Sequence, residues 1–340
     1  MAKTESLFPI LDTKRISSLA RSAAAAPLDS AGCRTEYRPL PTKSVLCKVQ
    51  SKRKLPFDYA INPYRGCEFA CRYCYARYAH EFLEMTPEDF EHKIYFKEHA
   101  GWLLTQELKS LKAGAAISLG TATDPYQPLE RNQFVTRSLL EAFTHSSGFR
   151  VGIITKSTLI LRDLELLKEI AKRHRLTVHV TVTTIDAGLA RILEPRAPRP
   201  DLRIRVVARL RSAGLRAGVM CSPLMPGITD TRSSISAVAK AAAAADASFF
   251  FAGALFLKPC SLPTFLDFVG RHFPDQLEAY KQRYGTNAFV SPAYRNRVQK
   301  LVEAIRQEHN LDRRYLEDVA EGHASVKPEP IALQQWLPFS

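Results

Sequence analysis

The stretch Asn62-Pro-Tyr-Arg-Gly-Cys67-Glu-Phe-Ala-Cys71-Arg-Tyr-Cys74-Tyr75 holds three cysteines in a Cys-x3-Cys-x2-Cys arrangement. A short apolar run that predicts a β-strand, residues 57–62, comes directly before it. Spacings of four and three residues bring the thiols to one side of a turn that opens a helix, within reach of one compact metal centre. Soft thiolates select iron-sulfur clusters, zinc or Cu(I) over hard cations. The stretch therefore predicts a metal centre at the end of the first strand.

Around this stretch, short apolar or β-branched runs alternate with longer runs of helical periodicity. Strands that alternate with helices pair in parallel through right-handed crossovers, so the sheet is either doubly wound or curved into a full or partial barrel. Ligands of such sheets gather at the carboxyl ends of the strands. The predicted strands are residues 57–62, 115–120, 150–155, 176–184, 215–223 and 248–257. The predicted helices are residues 71–85, 98–112, 134–146, 161–174, 202–213 and 231–245.

Three regions follow from this alternation. Residues 1–56 contain an alanine-rich stretch and the basic run Lys52-Arg53-Lys54, and we expect a loosely organised N-terminal extension wrapped on the body. Residues 57–257 form the core domain. Residues 258–340 contain two more helical stretches, 262–284 and 294–309, and form a C-terminal helical cap.

The composition excludes several classes of protein. Of the 340 residues, 46% are hydrophobic and 24% charged, which excludes disorder, collagen and coiled coil for the whole chain. No apolar run reaches the roughly 18 residues of a membrane span, and no signal-peptide pattern begins the sequence. We therefore expect a cytoplasmic protein without a membrane partner. Its seven cysteines are then reduced thiols, so a cluster of them indicates metal ligation or catalysis before disulfide bonding.

Three thiolates have a specific consequence for the metal centre. A cubane cluster has four irons, so three cysteines leave one iron without a protein ligand. That open iron is able to chelate a small molecule that carries an amino and a carboxylate group. A zinc site is the alternative, and it needs a fourth ligand, which His80 or Cys47 would provide. Cys33, Cys47, Cys221 and Cys260 lack metal-ligand spacing, so inert buried thiols are the simplest interpretation of them.

These residues resemble the signature of the radical S-adenosylmethionine (SAM) superfamily, which has this spacing with an aromatic residue, here Tyr73, just before the third cysteine. Further motifs, in the same order along residues 57–257, resemble the spore photoproduct lyase-like branch of that superfamily. They are Ile61-Asn-Pro-Tyr-Arg-Gly-Cys67, Cys74-Tyr-Ala-Arg77, Thr123-Asp-Pro-Tyr-Gln-Pro-x-Glu130, Leu193-Glu-Pro-Arg-Ala-Pro198 and Pro223-Leu-Met-Pro-Gly-Ile-Thr-Asp230. The resemblance implies an α/β fold, a partial (β/α)6-type barrel of the radical SAM kind with an N-terminal extension and a C-terminal helical cap.

The resemblance also implies the chemistry. Cys67, Cys71 and Cys74 would hold a 4Fe-4S cluster whose open iron binds SAM. An electron from a donor such as flavodoxin or ferredoxin would cleave SAM to methionine and a 5′-deoxyadenosyl radical, which removes a hydrogen atom from the substrate. The protein orients the reactants and excludes water and oxygen, while the cofactor carries the hard chemistry.

Residues at the ends of the second and third strands are candidates for SAM binding, together with Tyr73. Thr123 and Asp124 would accept hydrogen bonds from the SAM ammonium group, and the alternative for Asp124 is a turn before Pro125. Lys156 would supply positive charge for the SAM carboxylate, and its alternative is an exposed loop lysine.

Residues at the ends of the fourth and fifth strands complete this set. Thr183 and Thr184 would reach the SAM carboxylate or ribose, although threonine is also a favoured strand residue. Met220 would pack against the adenine, and its alternative is a plain core position.

Tyr75, Cys221 and Cys260 are the candidates for a catalytic role. In the lyase that the sequence resembles, a cysteine two residues before the Ser/Thr-Asp pair returns a hydrogen atom to the product radical, and Thr121 stands at that position here. The O–H bond of threonine is too strong to donate a hydrogen atom as a thiol does. Cys221 and Cys260 lie near predicted strand ends on the cofactor side, where they would substitute for the missing thiol.

A formal charge of +14 favours a polyanionic partner. Eight arginines and two acids lie between Arg191 and Arg216, and seven basic residues lie between Arg34 and Lys54. A DNA or RNA substrate on this basic surface is the first hypothesis, and a solvated basic face is the alternative. Two further functions stay open, a zinc-stabilised nucleic-acid-binding protein without catalysis and a radical SAM enzyme that acts on a peptide or small metabolite.

Overall fold

The computed structural model describes residues 13–32, 34–50 and 55–312 of the chain. Cys33 and the basic run Lys52-Arg53-Lys54 lie outside the described residues, as does the last part of the predicted C-terminal cap. In the described part of the chain, no helix is both long enough and apolar enough to cross a lipid bilayer.

Strands and helices alternate through most of the described chain. In chain order the strands are β1 (Ser30–Ala31), β2 (Glu36–Leu40), β3 (Leu46–Lys48), β4 (Tyr59–Ile61), β5 (Tyr64–Arg65), β6 (Lys93–Lys97), β7 (Ala116–Leu119), β8 (Arg150–Thr155), β9 (Arg175–Thr181), β10 (Ala217–Leu224) and β11 (Phe250–Ala254). The α-helices are α1 (Thr13–Ala25), α2 (Tyr78–Glu81), α3 (Ala100–Leu108), α4 (Glu130–Gln133), α5 (Val135–Thr144), α6 (Leu164–Arg173), α7 (Ala187–Leu193), α8 (Pro200–Ser212), α9 (Arg232–Ala244), α10 (Leu262–His272), α11 (Leu277–Tyr284) and α12 (Pro292–Glu308).

The main sheet has the order β11-β10-β9-β8-β7-β4-β3 among the described strands. Strands β4, β7, β8, β9, β10 and β11 pair in parallel, and they correspond to the six strands that the sequence predicts. Each crossover leads to the adjacent strand, as in a sheet that curves into a partial barrel. The predicted α/β partial barrel is confirmed, with the difference that β3 adds an antiparallel strand at one edge.

Apolar side chains bury one face of the central strands against the helices. In β9, Val178 and Val180 are fully buried, and α5 buries Leu139 and Phe143 in the same core. A sheet face that packs against helices needs such apolar side chains because it is removed from water. This packing fixes the strand ends, and therefore the direction of the side chains that follow them.

The N-terminal region is better organised than the sequence predicts. Strand β2 pairs in parallel with β6 and antiparallel with β1, and β6 pairs with β5, so a second sheet of order β1-β2-β6-β5 forms within the described residues. Glu36 pairs with Lys93, and partners so distant in the chain leave no local periodicity. The domain boundaries after residues 56 and 257 stay predictions, although β3 carries the first region into the main sheet.

Two predicted helices differ from the structure. A helix over 71–85 is wrong in its first part, because Cys74 has an extended backbone, and a 3-10 turn at Tyr75–Arg77 leads into the short α2. The predicted helix over 262–284 is divided into α10 and α11 at Pro274. Proline lacks an amide hydrogen and disfavours the helical conformation of the residue before it.

The packing of β10 gives a test of this core. An added Cβ at Gly218 would lie 2.5 Å from the ring and the carbonyl oxygen of Phe249. We expect Gly218→Ala to lower the free energy of unfolding by about 1–3 kcal/mol, because overpacking forces neighbours out of their preferred positions. Chemical denaturation measures this loss. The matched control is Gly152→Ala in β8, where the nearest atom is 3.9 Å from the added Cβ. Equal losses in both variants would contradict the packing.

Candidate active site

A cavity of about 950 Å³, a volume that includes the solvent space at its mouth, opens at the carboxyl ends of the parallel strands. The segment that carries the three cysteines, residues 66–75, is called the cysteine loop here and forms one wall. The residues that follow β7, β8 and β10 form the other walls. The lining side chains include Cys67, Cys71, Tyr73, Cys74, Tyr75, Thr121, Thr123, Asp124, Lys156, Met220 and Phe256. The structure therefore brings together the three predicted metal ligands and most of the residues predicted to bind SAM.

The backbone of the cysteine loop is held in a tight conformation. Gly66 has φ of +85°, and an added Cβ there would lie 2.8 Å from Ile94 and from the Phe90 carbonyl oxygen. The Cys67 amide donates to that same Phe90 oxygen at 2.9 Å. Only glycine combines this left-handed conformation with so close an approach of another strand. Gly66 thus lets the loop turn sharply into the cavity.

The three thiols lie in surroundings that burial makes unfavourable for a bare thiolate. Burial raises the pKa of Cys67 well above its ordinary value and that of Cys71 to about 12. Burial also raises the pKa of Cys74. Backbone hydrogen bonds from Phe69 and Ala76 act in the opposite direction on Cys67 and Cys74. A positive metal centre between them would favour the thiolates, so the donor set fits a thiolate-bound cluster.

The predicted zinc ligands do not complete a site. His80 is fully buried, with its Nε2 2.9 Å from the Lys93 carbonyl oxygen, and Cys47 is exposed on β3. Among the described residues, no three Cys, His, Asp or Glu side chains are grouped closely enough to hold one metal ion. A 4Fe-4S cluster has a different requirement, because each thiolate binds a separate iron and the cysteines need not converge on one point.

The residues after β7 hold the cysteine loop in place. Thr123 Oγ1 donates to the Gly66 carbonyl oxygen at 2.7 Å, and Gln127 Nε2 donates to the same oxygen at 3.3 Å. Gln127 Oε1 accepts from the Glu68 amide at 3.0 Å. The Thr123 hydroxyl hydrogen is therefore used within the protein, although the residue lines the cavity. Sequence reasoning missed Gln127, although the motif that contains it was identified.

Glu130, the last residue of the same motif, is fully buried. Its carboxylate pairs with Arg162 at 2.8 Å, accepts from the Thr136 amide at 2.8 Å, and accepts from the Tyr64 hydroxyl. Tyr64 belongs to the stretch that precedes the cysteines. Glu130 thus connects Arg162 and Thr136, on the helical side of the barrel, to Tyr64 in the stretch before the cysteines.

Asp124 stabilises the turn that contains Pro125, and it also lines the cavity. Its Oδ1 accepts from the Tyr126 amide at 2.9 Å and from Thr155 Oγ1 at 2.7 Å, and its Oδ2 accepts from the Lys156 amide at 2.7 Å. Burial raises the pKa of Asp124 despite these hydrogen bonds. A carboxylate offers about four acceptor positions, so one remains for a ligand.

Lys156 is a cavity residue and not an exposed loop lysine. It is half-buried, and its Nζ lies 5.7 Å from the centre of the Tyr73 ring. Burial lowers the pKa of Lys156, but the negative charges of Cys71 and Glu194 outweigh that effect, so the net shift is upward. Lys156 therefore keeps its positive charge beside the cysteine wall.

A buried polar network lies behind Tyr73. The Tyr73 hydroxyl donates to Glu194 and lies 3.0 Å from Thr183 Oγ1. Glu194 pairs with Arg203 at 2.5 Å, and both side chains are 1% exposed. Burial raises the pKa of Glu194, but Arg203 and Lys156 outweigh it, so the pKa of Glu194 lies below its ordinary value. Glu194 and Arg203 were not among the predicted site residues.

The two predicted threonines of the fourth strand do not line the cavity. Thr183 Oγ1 also donates to Glu194 at 2.9 Å, and Thr184 Oγ1 accepts from the Asp186 amide at 3.1 Å. Both residues are buried. Their hydroxyl groups belong to the network and to the turn that begins α7, so a contact of either residue with SAM stays a prediction.

Strand alternation separates Met220 from Cys221. Met220 lines the cavity, whereas Cys221 is 1% exposed and packs in the hydrophobic core on the other face of β10. Cys221 Sγ lies 3.7 Å from the Thr183 carbonyl oxygen. The expectation that Cys221 faces the cofactor side is therefore corrected, because successive side chains of a strand point to opposite faces.

The other two catalytic candidates lie at the cavity or beside it. Tyr75 lines the cavity, donates to the Thr121 carbonyl oxygen, and has its ring 5.0 Å from that of Phe256. Cys260 is half-buried next to Ser261, whose hydroxyl donates to the Cys74 carbonyl oxygen at 2.7 Å. Cys260 does not line the cavity itself.

A partial barrel whose parallel strands end around three cysteines is the fold of an enzyme built on a thiolate-bound metal centre. A family model described as the radical SAM superfamily matches residues 61–235. The chain belongs to the radical SAM superfamily and is a radical SAM enzyme, which implies a 4Fe-4S cluster and SAM as cofactors. The alternative of a zinc-stabilised protein without catalysis is therefore wrong.

Several proteins of known sequence or structure are similar to this chain. An uncharacterized protein of Mycobacterium tuberculosis is 33% identical over 271 residues, 79% of this chain and 79% of that protein. An uncharacterized protein of Methanocaldococcus jannaschii is 26% identical over 200 residues, 56% of this chain and 71% of that one. A structure of spore photoproduct lyase superposes with a TM-score of 0.56 and 14% identity, covering 89% of this chain and 85% of that chain. The likeness to spore photoproduct lyase is one of fold, and it supports the predicted resemblance to the spore photoproduct lyase-like branch.

The Glu194–Arg203 pair gives a prediction about the site. Glu194→Gln keeps the side-chain volume but leaves the Arg203 guanidinium buried without a counter-charge. We expect a loss of about 3–5 kcal/mol in the free energy of unfolding, since an unpaired buried charge is strongly destabilising. The control is Asp201→Asn, which removes the exposed partner of Arg199 and should change stability little. Urea unfolding compares the two variants, and equal effects would contradict the pairing.

Proposed function

We propose that Cys67, Cys71 and Cys74 bind the 4Fe-4S cluster, that Asp124, Lys156 and Met220 bind SAM, and that the substrate is a nucleic acid or a nucleotide. One observation carries the cofactor part of this proposal. All six side chains line a single cavity at the carboxyl ends of the parallel strands, where ligands of such sheets bind.

The cluster with SAM supplies, when bound, a one-electron cleavage that yields a radical able to remove a hydrogen atom from a substrate. The residues of this chain hold and orient the reactants. The Lys156 ammonium group would pair with the SAM carboxylate, and the free acceptor position of Asp124 would bind the SAM ammonium group. Met220 would pack against the adenine ring. An electron donor such as flavodoxin or ferredoxin stays a prediction.

The cavity walls would also keep water from the reaction. Cys67, Cys71 and Tyr73 are each at most 9% exposed. Phe90 and Phe256 add apolar surface to the same lining. Charges and dipoles beside such apolar walls interact more strongly than in water, which would help a few fixed groups to orient SAM.

Positive side chains near the cysteine end favour a phosphate-containing substrate. Arg65, in β5, is half-buried and makes no hydrogen bond or ion pair with another described residue. Lys258 is buried with its Nζ 3.6 Å from the centre of the Tyr78 ring, and burial lowers its pKa to about 7. Holding the Arg65 guanidinium away from water costs free energy, and a phosphate would offset that cost.

The arginine-rich segment is not the single basic face that the sequence predicts. Arg203 is buried against Glu194, and Arg211 is half-buried against Asp246. Arg205 is exposed, with Asp201 at 3.9 Å. The segment therefore distributes its charge over several surfaces, and Arg65 is the cation that favours a phosphate-containing substrate.

One specific reaction is not expected despite the similar fold. A solved spore photoproduct lyase contains the dinucleoside spore photoproduct. In this chain Thr121 occupies the position where the resemblance implies the hydrogen-returning cysteine. Cys221 faces the core, and Cys260 lies beside the cavity without lining it. We therefore propose another nucleic acid or nucleotide as the substrate.

The cluster assignment predicts the behaviour of the cysteine variants. Cys67→Ala, Cys71→Ala and Cys74→Ala each remove a thiolate that a solvent ligand does not replace, so each variant should lose most of its iron and sulfide. Metal analysis and visible absorbance after anaerobic reconstitution measure this, and 5′-deoxyadenosine formation should be lost in parallel. Cys47→Ala is the matched control and should keep its iron. Full iron content in Cys71→Ala would contradict the assignment.

The substrate assignment predicts salt-dependent binding of a labelled single-stranded oligonucleotide to the reconstituted enzyme. Each phosphate contact contributes about one unit to the slope of log affinity against log salt, so Lys258→Ala and Arg65→Ala should each lower that slope and weaken binding. Lys240→Ala, on the exposed face of α9, is the control. Absence of binding at low salt, or binding insensitive to salt, would favour a peptide or small metabolite instead.

A further inference from the structure

An open depression of about 1100 Å³, a volume that includes solvent space, lies between the first turns of α3 and α5. Residues 96–102 and residues between 133 and 141 line it. Helices α3 and α5 lead into the barrel strands β7 and β8, so both helices begin at the carboxyl ends of the strands, where the active site lies. The depression shares no lining residue with the cavity that carries the cysteines, and it therefore needs its own explanation.

Two exposed aromatic side chains line this depression. Trp102, in the first turn of α3, is 65% exposed, and Phe134, immediately before α5, is 46% exposed. They are two of the three large apolar side chains that are exposed in the described part of the chain. Exposed apolar side chains that share one opening mark a surface that contacts another molecule.

The backbone holds Phe134 in its exposed position. Its φ is +53°, in the left-handed region that large side chains rarely adopt, and such strain persists where the surroundings fix it. The Arg162 guanidinium carbon lies 4.8 Å from the centre of the Phe134 ring, so a cation packs against that ring. Arg162 is itself paired with Glu130 and Asp163. The exposed part of the ring is then available to a second planar group.

Three cations without an ion-pair partner among the described residues surround the depression. Lys97, the last residue of β6, lines it. Arg65 is opposite Tyr95, two residues before Lys97, so Arg65 and Lys97 point to the same face of their sheet. Arg131 is exposed on α4, which ends at the depression. Burial and the charge of Arg65 lower the pKa of Lys97 to about 8, and a phosphate nearby would act in the opposite direction.

Acidic side chains do not cancel this charge. Glu98 and Glu141 line the depression, and Glu141 pairs with Arg137 at 3.2 Å. Arg137 also pairs with the buried Asp163 at 2.6 Å. These pairs leave Glu98 as the acid of the lining that has no ion-pair partner in the described structure, against the three cations.

Arg65 lies between the depression and the cysteine loop. Burial raises the pKa of Tyr78, the charge of Arg65 lowers it and Cys74 raises it, so Arg65 and Cys74 both lie near Tyr78. The charge of Arg65 also reaches Lys97 at the depression. A polymer whose reacting unit occupied the active site would therefore pass these cations on its way to the depression.

We propose that the depression binds bases of a single-stranded nucleic acid whose reacting nucleotide occupies the active site. This inference rests on the proposed nucleic-acid substrate and specifies it as a polymer. Bases would stack on Trp102 and Phe134, since every base has a π-face, and this contact would not select a sequence. The phosphates between the bases would contact Arg65, Lys97 and Arg131.

The fluorescence of Trp102 reports directly on this contact. The chain has two tryptophans, so Trp336→Phe leaves Trp102 as the single one. We expect single-stranded DNA of about 12 nucleotides to quench the emission of the reconstituted Trp336→Phe protein, because the bases stack on the indole ring. A dinucleotide should bind at the active site without quenching, because it is too short to reach the depression.

Binding affinity is the second measurement. Trp102→Leu keeps an apolar side chain without the ring, and Phe134→Asn removes the ring and suits the left-handed backbone. Each variant should weaken binding of the oligonucleotide about tenfold, whereas Trp102→Phe should keep most of the affinity. Dinucleotide affinity, and 5′-deoxyadenosine formation with dithionite as reductant, should stay unchanged. Lys240→Ala, on the exposed face of α9, is the matched control.

The outcomes separate this inference from the substrate proposal. If neither the oligonucleotide nor the dinucleotide binds, the nucleic-acid substrate is wrong and this inference with it. Oligonucleotide binding without quenching of Trp102, or with unchanged affinity in Trp102→Leu and Phe134→Asn, would overturn this inference alone. If Trp102→Leu loses 5′-deoxyadenosine formation with flavodoxin as donor but not with dithionite, the depression binds the electron donor, and the inference is overturned.

Discussion

The Gly66 carbonyl oxygen accepts hydrogen bonds from Thr123 and Gln127, and this contact fixes the cysteine loop to the second parallel strand. It helps to set the distance between the thiols and the residues after β7. Glu68 strengthens the same junction, since its carboxylate accepts from the Leu129 amide at 3.0 Å. The motif after β7 therefore supports the loop as much as it offers groups to a ligand.

Two buried carboxylates extend this support through the barrel. Glu130 pairs with Arg162, and Glu194 pairs with Arg203, each at a position where a lone charge would be strongly unfavourable. Both carboxylates also accept from a tyrosine hydroxyl of the cysteine stretch, Tyr64 or Tyr73. The polar network thus couples the cavity wall to Arg162 and Arg203, which do not line the cavity, and it makes the orientation of that wall specific.

The two ends of the barrel use charge in different ways. At the carboxyl end, Lys156 lies among acceptors and thiols, so its positive charge is matched by the surroundings of the site. At the amino end, Arg150 and Arg175 face one another across neighbouring strands. A parallel sheet creates both situations, because its strand ends bring residues distant in sequence to one edge. Part of the excess of basic residues therefore lies at the two ends of the barrel.

The sequence by itself determined the alternation of strands and helices and the cysteine spacing, because both are local patterns of a few residues. It also located Asp124, Lys156 and Met220 at strand ends, which parallel pairing brings to one cavity. Tertiary structure alone decided which face each side chain takes: it turned Cys221 and Thr183 away from the cavity and buried Arg203 beneath it. It also recruited β2 and β3 into sheets through partners far along the chain. These outcomes depend on non-local pairing and on the burial of charge, and local periodicity contains no information about either.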